Sequence, residues 1–362
     1  MESIGISTGI LFVISIFVWL AAWFRRELFM RWLMSAADRK FVKSPQLDVG
    51  LVYLMVFLNL AMVAMVAFQV SAPEPVADAA ASTPTSWQTL LAQEDGASAP
   101  EDAVPSPDAG DDNDGDVSPA PVRKLTPGMQ VSQSLSVIAI LLIMALTSKT
   151  IYGAGMQVWG WGPVLDRKWF PTLRAIVLAF FLLVPPVLLL HEILTILIDY
   201  PHATLQQAES YLTNGQWTLL SLLLLNTAFL VPVYEEVFFR SIVQGFAEQI
   251  ITFSKNWPRW AIGPMRPSVA QWLGVAGAAQ VAATAKAPSR SPFNTDWRPI
   301  VASSLLFALA HSGQGAAPVS LYFLAMGLGW LYQKTGNLAI TIGVHLGLNA
   351  WTLGNLLLGA AG

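Results

Sequence analysis

Long apolar segments recur along the chain at lengths that match the thickness of a lipid bilayer. A hydrocarbon core of about 30 Å requires about 20 mostly apolar residues in one helix. Such segments lie at residues 4–24, 49–70, 131–150, 172–198, 216–238, 299–313, 316–333 and 337–358. The composition agrees, because 54% of the residues are apolar, 12% are charged, and the mean hydropathy is +0.53. We therefore predict an all-α fold: a polytopic membrane helix bundle with about eight transmembrane helices, located in the cell membrane.

Lys and Arg are concentrated in alternate loops between these segments. The stretches from Arg25 to Lys43, from Lys149 to Arg174 and from Lys255 to Arg298 are rich in basic residues, whereas residues 71–122 contain none. Cytoplasmic loops of membrane proteins carry an excess of Lys and Arg. The basic stretches are therefore predicted to be cytoplasmic, and both chain termini are predicted to lie outside.

The sequence predicts four regions along the chain. Residues 1–70 contain two N-terminal transmembrane helices, and residues 71–128 form an acidic, Pro- and Ala-rich tract that is predicted to be a disordered external linker. Residues 129–215 contain the third and fourth transmembrane helices. Residues 216–358 are predicted to form the catalytic core, with a cytoplasmic loop at 252–297.

Three ionisable residues lie within one apolar segment, in the sequence Tyr-Glu-Glu-Val-Phe-Phe-Arg of residues 234–240. A charge at bilayer depth costs about 2.5–3.5 kcal/mol on insertion scales, so such residues usually face a protein interior and have a function. Glu236 and Arg240 are four residues apart and are predicted to form a structural ion pair. Glu235 is rotated by about 100° from Glu236 around the helix axis, so it lies outside this ion pair and is available as a catalytic carboxylate. Pro232, just before this motif, predicts a kink or break in the helix.

Further polar residues occur at helical spacing in the following apolar segments. Phe307 and His311 share one helix face, as do His345 and Asn349. If these faces converge with Glu235, the carboxylate can deprotonate a water that His311 holds in line. His345 and Asn349 can then donate to the negative carbonyl oxygen that forms during amide hydrolysis. Phe307 is predicted to pack against the site.

These residues form three motifs in a characteristic order: EExxxR at residues 235–240, FxxxH at 307–311 and HxxxN at 345–349. Over about residues 216–355 the chain resembles the CPBP family, which includes type II CAAX prenyl endopeptidases and bacterial bacteriocin-processing and self-immunity proteins. The resemblance implies an intramembrane glutamic-type endopeptidase. It also implies that Glu235 and His311 activate water, that His345 and Asn349 form the oxyanion site, and that Glu236 and Arg240 are structural.

Two other functions are compatible with the same residues. Glu235, His311 and His345 provide enough ligands for a zinc-dependent membrane protease. A non-enzymatic immunity or transport protein that binds a peptide is the second alternative. His191-Glu192 begins a zinc-helix motif, but Thr195 stands where its second His belongs, so no metal site is predicted there.

The expected partners follow from the preferred function. They are membrane lipid and a peptide or protein substrate, with a prenylated substrate as one alternative. We expect no nucleic-acid partner, no cofactor and no metal. Because basic loops flank the helices that carry the motifs, the active site is predicted to face the cytoplasm.

Overall fold

A computed structural model describes residues 2–37, 127–152, 160–161, 169–197, 203–253, 267–272, 295–312 and 314–361. These residues belong to one unit composed of Met1–Ala64 and Lys124–Gly362. The predicted second span at 49–70 lies outside the described residues. The predicted linker at 71–128 also lies outside them, apart from its last two residues, which begin a helix.

All regular elements in these ranges are helices. They are α1 (Glu2–Phe24), α2 (Arg26–Ser35), α3 (Pro127–Tyr152), α4 (Trp169–Leu197), α5 (Ala203–Thr213), α6 (Trp217–Leu225), α7 (Val231–Glu236), α8 (Gly245–Phe253), α9 (Pro267–Trp272), α10 (Trp297–Ala310), α11 (Ala317–Thr335) and α12 (Leu338–Ala361). Two π-helical segments, Asn226–Leu230 and Val237–Gln244, join α6 to α7 and α7 to α8. The all-α prediction is confirmed for this part of the chain.

Fewer helices than predicted have the length and composition of membrane spans. Among the described residues they are Pro127–Thr147, Trp169–Leu197 and Trp217–Glu248, and a fourth counts if Gly9–Phe24 and Arg26–Ser35, bent by 101°, form one broken span. The prediction of eight spans is therefore not confirmed. α11 does not meet the criterion, and its Leu324, Leu328 and Leu331 are fully buried in protein. A helix surrounded by other helices needs less hydropathy than one that faces lipid.

Asn337 joins three helices at one end of the bundle. Its Nδ2 donates to the Ala36 carbonyl at 2.9 Å and to Thr172 Oγ1 at 3.0 Å, and its Oδ1 accepts the Ala339 N–H at the start of α12. The end of α2, the start of α4 and the turn between α11 and α12 therefore meet there. We call this the basic end, because the stretches rich in Lys and Arg adjoin these helix ends.

The opposite end of the bundle has its own contacts. Gln130, near the start of α3, donates from Nε2 to the Tyr211 hydroxyl of α5 at 2.9 Å. Tyr211 also belongs to an apolar cluster with Leu220 of α6 and Leu357 near the end of α12. We call this the distal end.

Pro185 and Pro186 lie within α4 without ending it. Proline has no N–H, so Pro186 leaves the Leu182 carbonyl without its usual helical donor. The indole Nε1 of Trp19 on α1 donates to that carbonyl at 3.0 Å. This hydrogen bond joins α1 to α4 at the carbonyl that Pro186 leaves without a helical donor.

Pro232 does not break its helix, because Trp217–Glu248 forms one span, and the predicted kink stays a prediction. Pro232 occupies the first turn of α7, where the preceding π-helical segment has already changed the hydrogen-bond register. In that register the Val231 N–H donates to the Asn226 carbonyl, five residues earlier. The missing N–H of Pro232 is thus accommodated without a break.

Candidate active site

The three motifs converge at one carboxylate. Glu235 Oε1 lies 3.5 Å from His311 Nε2, and Glu235 Oε2 lies 3.7 Å from His345 Nε2. The three residues come from α7, the end of α10 and α12. The Glu235 and His311 side chains are only 15% and 13% exposed, so both lie in a recessed site. A straight-helix estimate would place His311 deeper than Glu235, but the structure brings the two side chains together.

Glu236 has a different environment from its neighbour Glu235. Its side chain is fully buried, and its Oε2 accepts the Arg240 Nε–H at 3.1 Å. Its Oε1 lies 3.1 Å from His345 Nδ1. The adjacent glutamates therefore contact the two ring nitrogens of one histidine, Glu236 at Nδ1 and Glu235 at Nε2.

The oxygen partners determine where the protons of the two histidines lie. The Nδ1 of His311 is 2.8 Å from the Phe307 carbonyl, which can only accept, so Nδ1 carries the proton. By the same argument His345 Nδ1 donates to the ionised carboxylate of Glu236. Both Nε2 atoms then point toward Glu235. In the neutral form each Nε2 is an acceptor, and in the protonated form it is a donor.

Phe307 forms the wall behind these histidines. It is fully buried, and its ring centroid lies 4.6 Å from that of His311 and 5.9 Å from that of His345. The Arg240 guanidinium carbon lies 5.5 Å from the same ring centroid. The ring therefore packs against both histidines and the buried cation.

Asn349 is held in place by a carbonyl that the helix has released. In an α-helix the Thr227 carbonyl would accept the Val231 N–H, but here that N–H bonds Asn226 instead. The next residue, Pro232, has no N–H to offer. Asn349 Nδ2 donates one hydrogen to the Thr227 carbonyl at 2.8 Å, which leaves its second amide hydrogen for a ligand.

A cavity of about 310 Å³ joins these side chains. Glu235, His311, His345 and Asn349 line it, together with His191 from α4. Glu236, Arg240 and Phe307 lie behind this wall and do not line the cavity. The lining also includes apolar residues such as Leu188, Val231 and Leu353, and uncharged polar residues such as Gln133, Gln314 and Ser320.

His191 is the cavity residue that sequence reasoning missed. Its Nδ1 lies 3.3 Å from Ser320 Oγ, and the Ser320 hydroxyl already donates to the Ala317 carbonyl at 3.0 Å. Ser320 can therefore only accept, so His191 carries its proton on Nδ1, and its Nε2 has no hydrogen-bond partner among the described residues. The signal in the sequence was an ionisable residue in an apolar helix. By spacing alone, His191 matches only the first half of a zinc motif.

The described residues show no group of three or more His, Cys, Asp and Glu side chains arranged to hold a metal ion. Glu235, His311 and His345 are close to one another, but the arrangement does not form the three-ligand site that the zinc alternative requires.

Comparison with known proteins identifies the segment that carries this site. Residues 216–351 match the family model described as type II CAAX prenyl endopeptidase Rce1-like. We call these residues the Rce1-like segment, because they are similar to that family. No curated protein and no solved structure matches the chain. The Rce1-like segment contains all seven residues predicted for the site and its support, and the resemblance to the CPBP family is confirmed.

The match of this segment supports a CPBP/CAAX intramembrane protease family and, with it, the general activity. The protein is a CAAX-type endopeptidase embedded in a membrane. α1 to α5, including the helix that carries His191, precede the Rce1-like segment.

Proposed function

We propose that the protein is a glutamic-type intramembrane endopeptidase in which Glu235 activates the attacking water. The observation that supports this most directly is the position of the Glu235 carboxylate between the Nε2 atoms of His311 and His345 in a lined cavity. Glu236, the other carboxylate in the motif, is bound by Arg240 and His345 and is fully buried. Glu235 is therefore the carboxylate with access to a substrate.

A water bound between Glu235 and His311 would donate one hydrogen to each of them. This arrangement requires an acceptor at His311 Nε2, which the proton on its Nδ1 provides. As the water oxygen attacks the scissile carbonyl carbon, one water proton passes to Glu235. Water oriented by two acceptors in this way presents its lone pair to the carbonyl.

The developing oxyanion would accept hydrogen bonds from Asn349 Nδ2 and His345 Nε2. His345 serves as this donor only in its protonated form, because Nδ1 already carries the proton that bonds Glu236. The charge balance supports that form: two carboxylates, Arg240 and protonated His345 together are neutral. Collapse of the tetrahedral intermediate breaks the C–N bond, and Glu235 returns its proton to the leaving amine.

The substrate is proposed to be a peptide or protein that reaches the cavity within the cell membrane. The six apolar and uncharged polar lining residues named above favour apolar and uncharged side chains near the scissile bond. A prenyl group remains one alternative for the substrate. The sequence-based prediction that the site faces the cytoplasm stays a prediction.

The test is cleavage of a panel of membrane peptides and prenyl peptides by the purified protein in detergent. Glu235→Gln should lower kcat at least about 100-fold, because it removes the base but keeps the side-chain shape. Glu192→Gln is the matched control, since Glu192 is an exposed carboxylate on α4 that does not line the cavity. Cleavage that persists in Glu235→Gln would refute the proposal, and loss of wild-type cleavage with a strong chelator would favour the zinc alternative.

A further inference from the structure

A groove at the basic end of the bundle is separate from the active site. It has a volume of about 740 Å³ and is lined by α1, α2, α4 and α11, together with the first residue of α10. None of its lining residues also lines the cavity at Glu235. The groove is therefore a second candidate binding site with a lining of its own.

The groove extends from the basic end to about the middle of the bilayer. On α4, Leu182 lies ten residues after Thr172, and on α11, Gly327 lies ten residues before Asn337. Thr172 and Asn337 are hydrogen-bonded to each other, so both helices give a depth of about 15 Å at 1.5 Å per residue. This depth is half of a hydrocarbon core of about 30 Å. A Cβ at Gly327 would lie 2.6 Å from Leu183, so α4 and α11 touch there and form the floor of the groove.

Four tryptophans, Trp19, Trp23, Trp297 and Trp330, line the groove. The indole Nε1 of Trp19 donates to the Leu182 carbonyl, which fixes this ring as one wall. Trp23 and Trp297 are 80% and 49% exposed. Because tryptophan is enriched where a membrane meets water, the exposed rings indicate that the groove opens to the lipid near the interface.

Arg26 lines the groove from the face of α2 that packs into the bundle. Phe29 and Met30, three and four residues later, line the groove with it, and Leu33 on the same face is buried in the core. The amphipathic pattern of α2 would place an apolar residue at position 26. A cation at this position is therefore a departure from the packing pattern.

Arg26 has no ion-pair partner among the described residues. The neighbouring carboxylates are already paired, Glu27 with Arg31 at 4.0 Å and Asp296 with Arg298 at 2.7 Å. The described lining of the groove contains no Asp or Glu. A ligand that joins an anionic group to an apolar chain complements both the cation and the apolar walls.

We propose that this groove binds one anionic phospholipid from the leaflet at the basic end. The lipid phosphate accepts two parallel hydrogen bonds from the Arg26 guanidinium, and one acyl chain lies between the tryptophans along the floor at Leu183 and Gly327. Indole rings also attract quaternary ammonium groups. The charge of Arg26 in the same groove opposes such a cation, so an anionic lipid is favoured over phosphatidylcholine. The site does not depend on the proposed catalytic mechanism.

Lipid titration followed by native mass spectrometry tests the preference. The full chain, stripped of lipid in detergent, is titrated with phosphatidylglycerol and with phosphatidylcholine of the same acyl chains. The wild type should bind its first phosphatidylglycerol at least about tenfold more tightly, the order of one charged hydrogen bond. Arg26→Gln should lose this preference. Arg25→Gln is the matched control, since Arg25 is exposed and does not line the groove, and it should keep the preference.

Three results of the titration would overturn the proposal. They are the absence of a preference in the wild type, a preference that persists in Arg26→Gln, and an equal loss in Arg25→Gln, which would indicate a general charge effect.

Photocrosslinking locates the bound lipid. Phosphatidylglycerol with a diazirine near the end of one acyl chain should label peptides that contain Leu182, Leu183 or Met326. Excess unlabelled phosphatidylglycerol should compete, whereas glycerol 3-phosphate should not, because it lacks the acyl chain. Competition by glycerol 3-phosphate would overturn the proposal of a lipid ligand. Labelling only outside the groove would also overturn it, as would absent labelling because a second copy of the chain or residues 49–70 fill the groove.

Discussion

Glu236 has two roles at the scale of single residues, one in stability and one in positioning. Its carboxylate neutralises Arg240, and it also holds Nδ1 of His345. The sequence predicted the ion pair, because the two residues are four apart on a helix. It could not predict the contact with His345, because that contact depends on how α12 packs against α7.

Removal of one partner of this pair should cost more than removal of both. Glu236→Ala should lower the free energy of unfolding by about 3–5 kcal/mol, because it leaves a buried guanidinium without its carboxylate. The double variant Glu236→Ala/Arg240→Met should recover most of that loss, since no buried charge remains. Its activity should stay low because His345 loses its Nδ1 partner.

Thermal unfolding in detergent and cleavage rates measure these two effects separately. Glu192→Ala, at an exposed position, controls for the loss of a carboxylate. A double variant as unstable as Glu236→Ala would contradict the charge-pair explanation, and a fully active double variant would contradict the positioning role.

His191 is expected to position the peptide, because its free Nε2 accepts a hydrogen bond and it lines the cavity with Glu235. His191→Ala should raise KM and lower kcat/KM about tenfold, which corresponds to about 1.4 kcal/mol, the order of one hydrogen bond. His191→Gln keeps an acceptor and should restore part of the loss. Steady-state kinetics that show a fall in kcat alone would contradict this role.

Pro232 shows how an element can support catalysis by a local change in helix type. The π-helical segment before it and its missing N–H together release the Thr227 carbonyl to Asn349. The sequence showed the proline but not this outcome. Proline predicts only that a hydrogen bond is lost, and the tertiary contact that replaces the bond lies on another helix.

Pro232→Ala should therefore separate stability from activity. The new N–H can bond the helix and compete for the Thr227 carbonyl, so thermal stability in detergent should stay the same or rise. kcat should fall several-fold as Asn349 loses its fixed orientation. Pro299→Ala, in the first turn of α10 where no helical carbonyl depends on residue 299, is the matched control. An unchanged kcat in Pro232→Ala would show that the contact between Asn349 and the Thr227 carbonyl does not contribute to catalysis.

At the scale of the whole molecule, the Rce1-like segment relies on helices that precede it. Gly343 and Gly347 of α12 lie against Ile176 and Phe180 of α4, so closely that a Cβ at either glycine would meet those side chains within 2.6–2.7 Å. α4 also supplies His191 to the cavity. The predicted division between residues 129–215 and 216–358 is untested as a domain boundary, but close packing joins α4 to α12 across it.

A chain limited to residues 203–362 should therefore fail to fold into an active enzyme, although it contains the entire Rce1-like segment. Without α4, the glycine face of α12 and the buried leucines of α11 lose their apolar partners. Co-expression of residues 1–202 with residues 203–362 should restore a monodisperse complex that cleaves the panel peptide, because the break falls in the connection between α4 and α5. Size-exclusion chromatography in detergent and cleavage assays measure both properties. Activity of the short fragment alone would show that the matched segment folds and works independently, and would remove α4 and His191 from the description of the site.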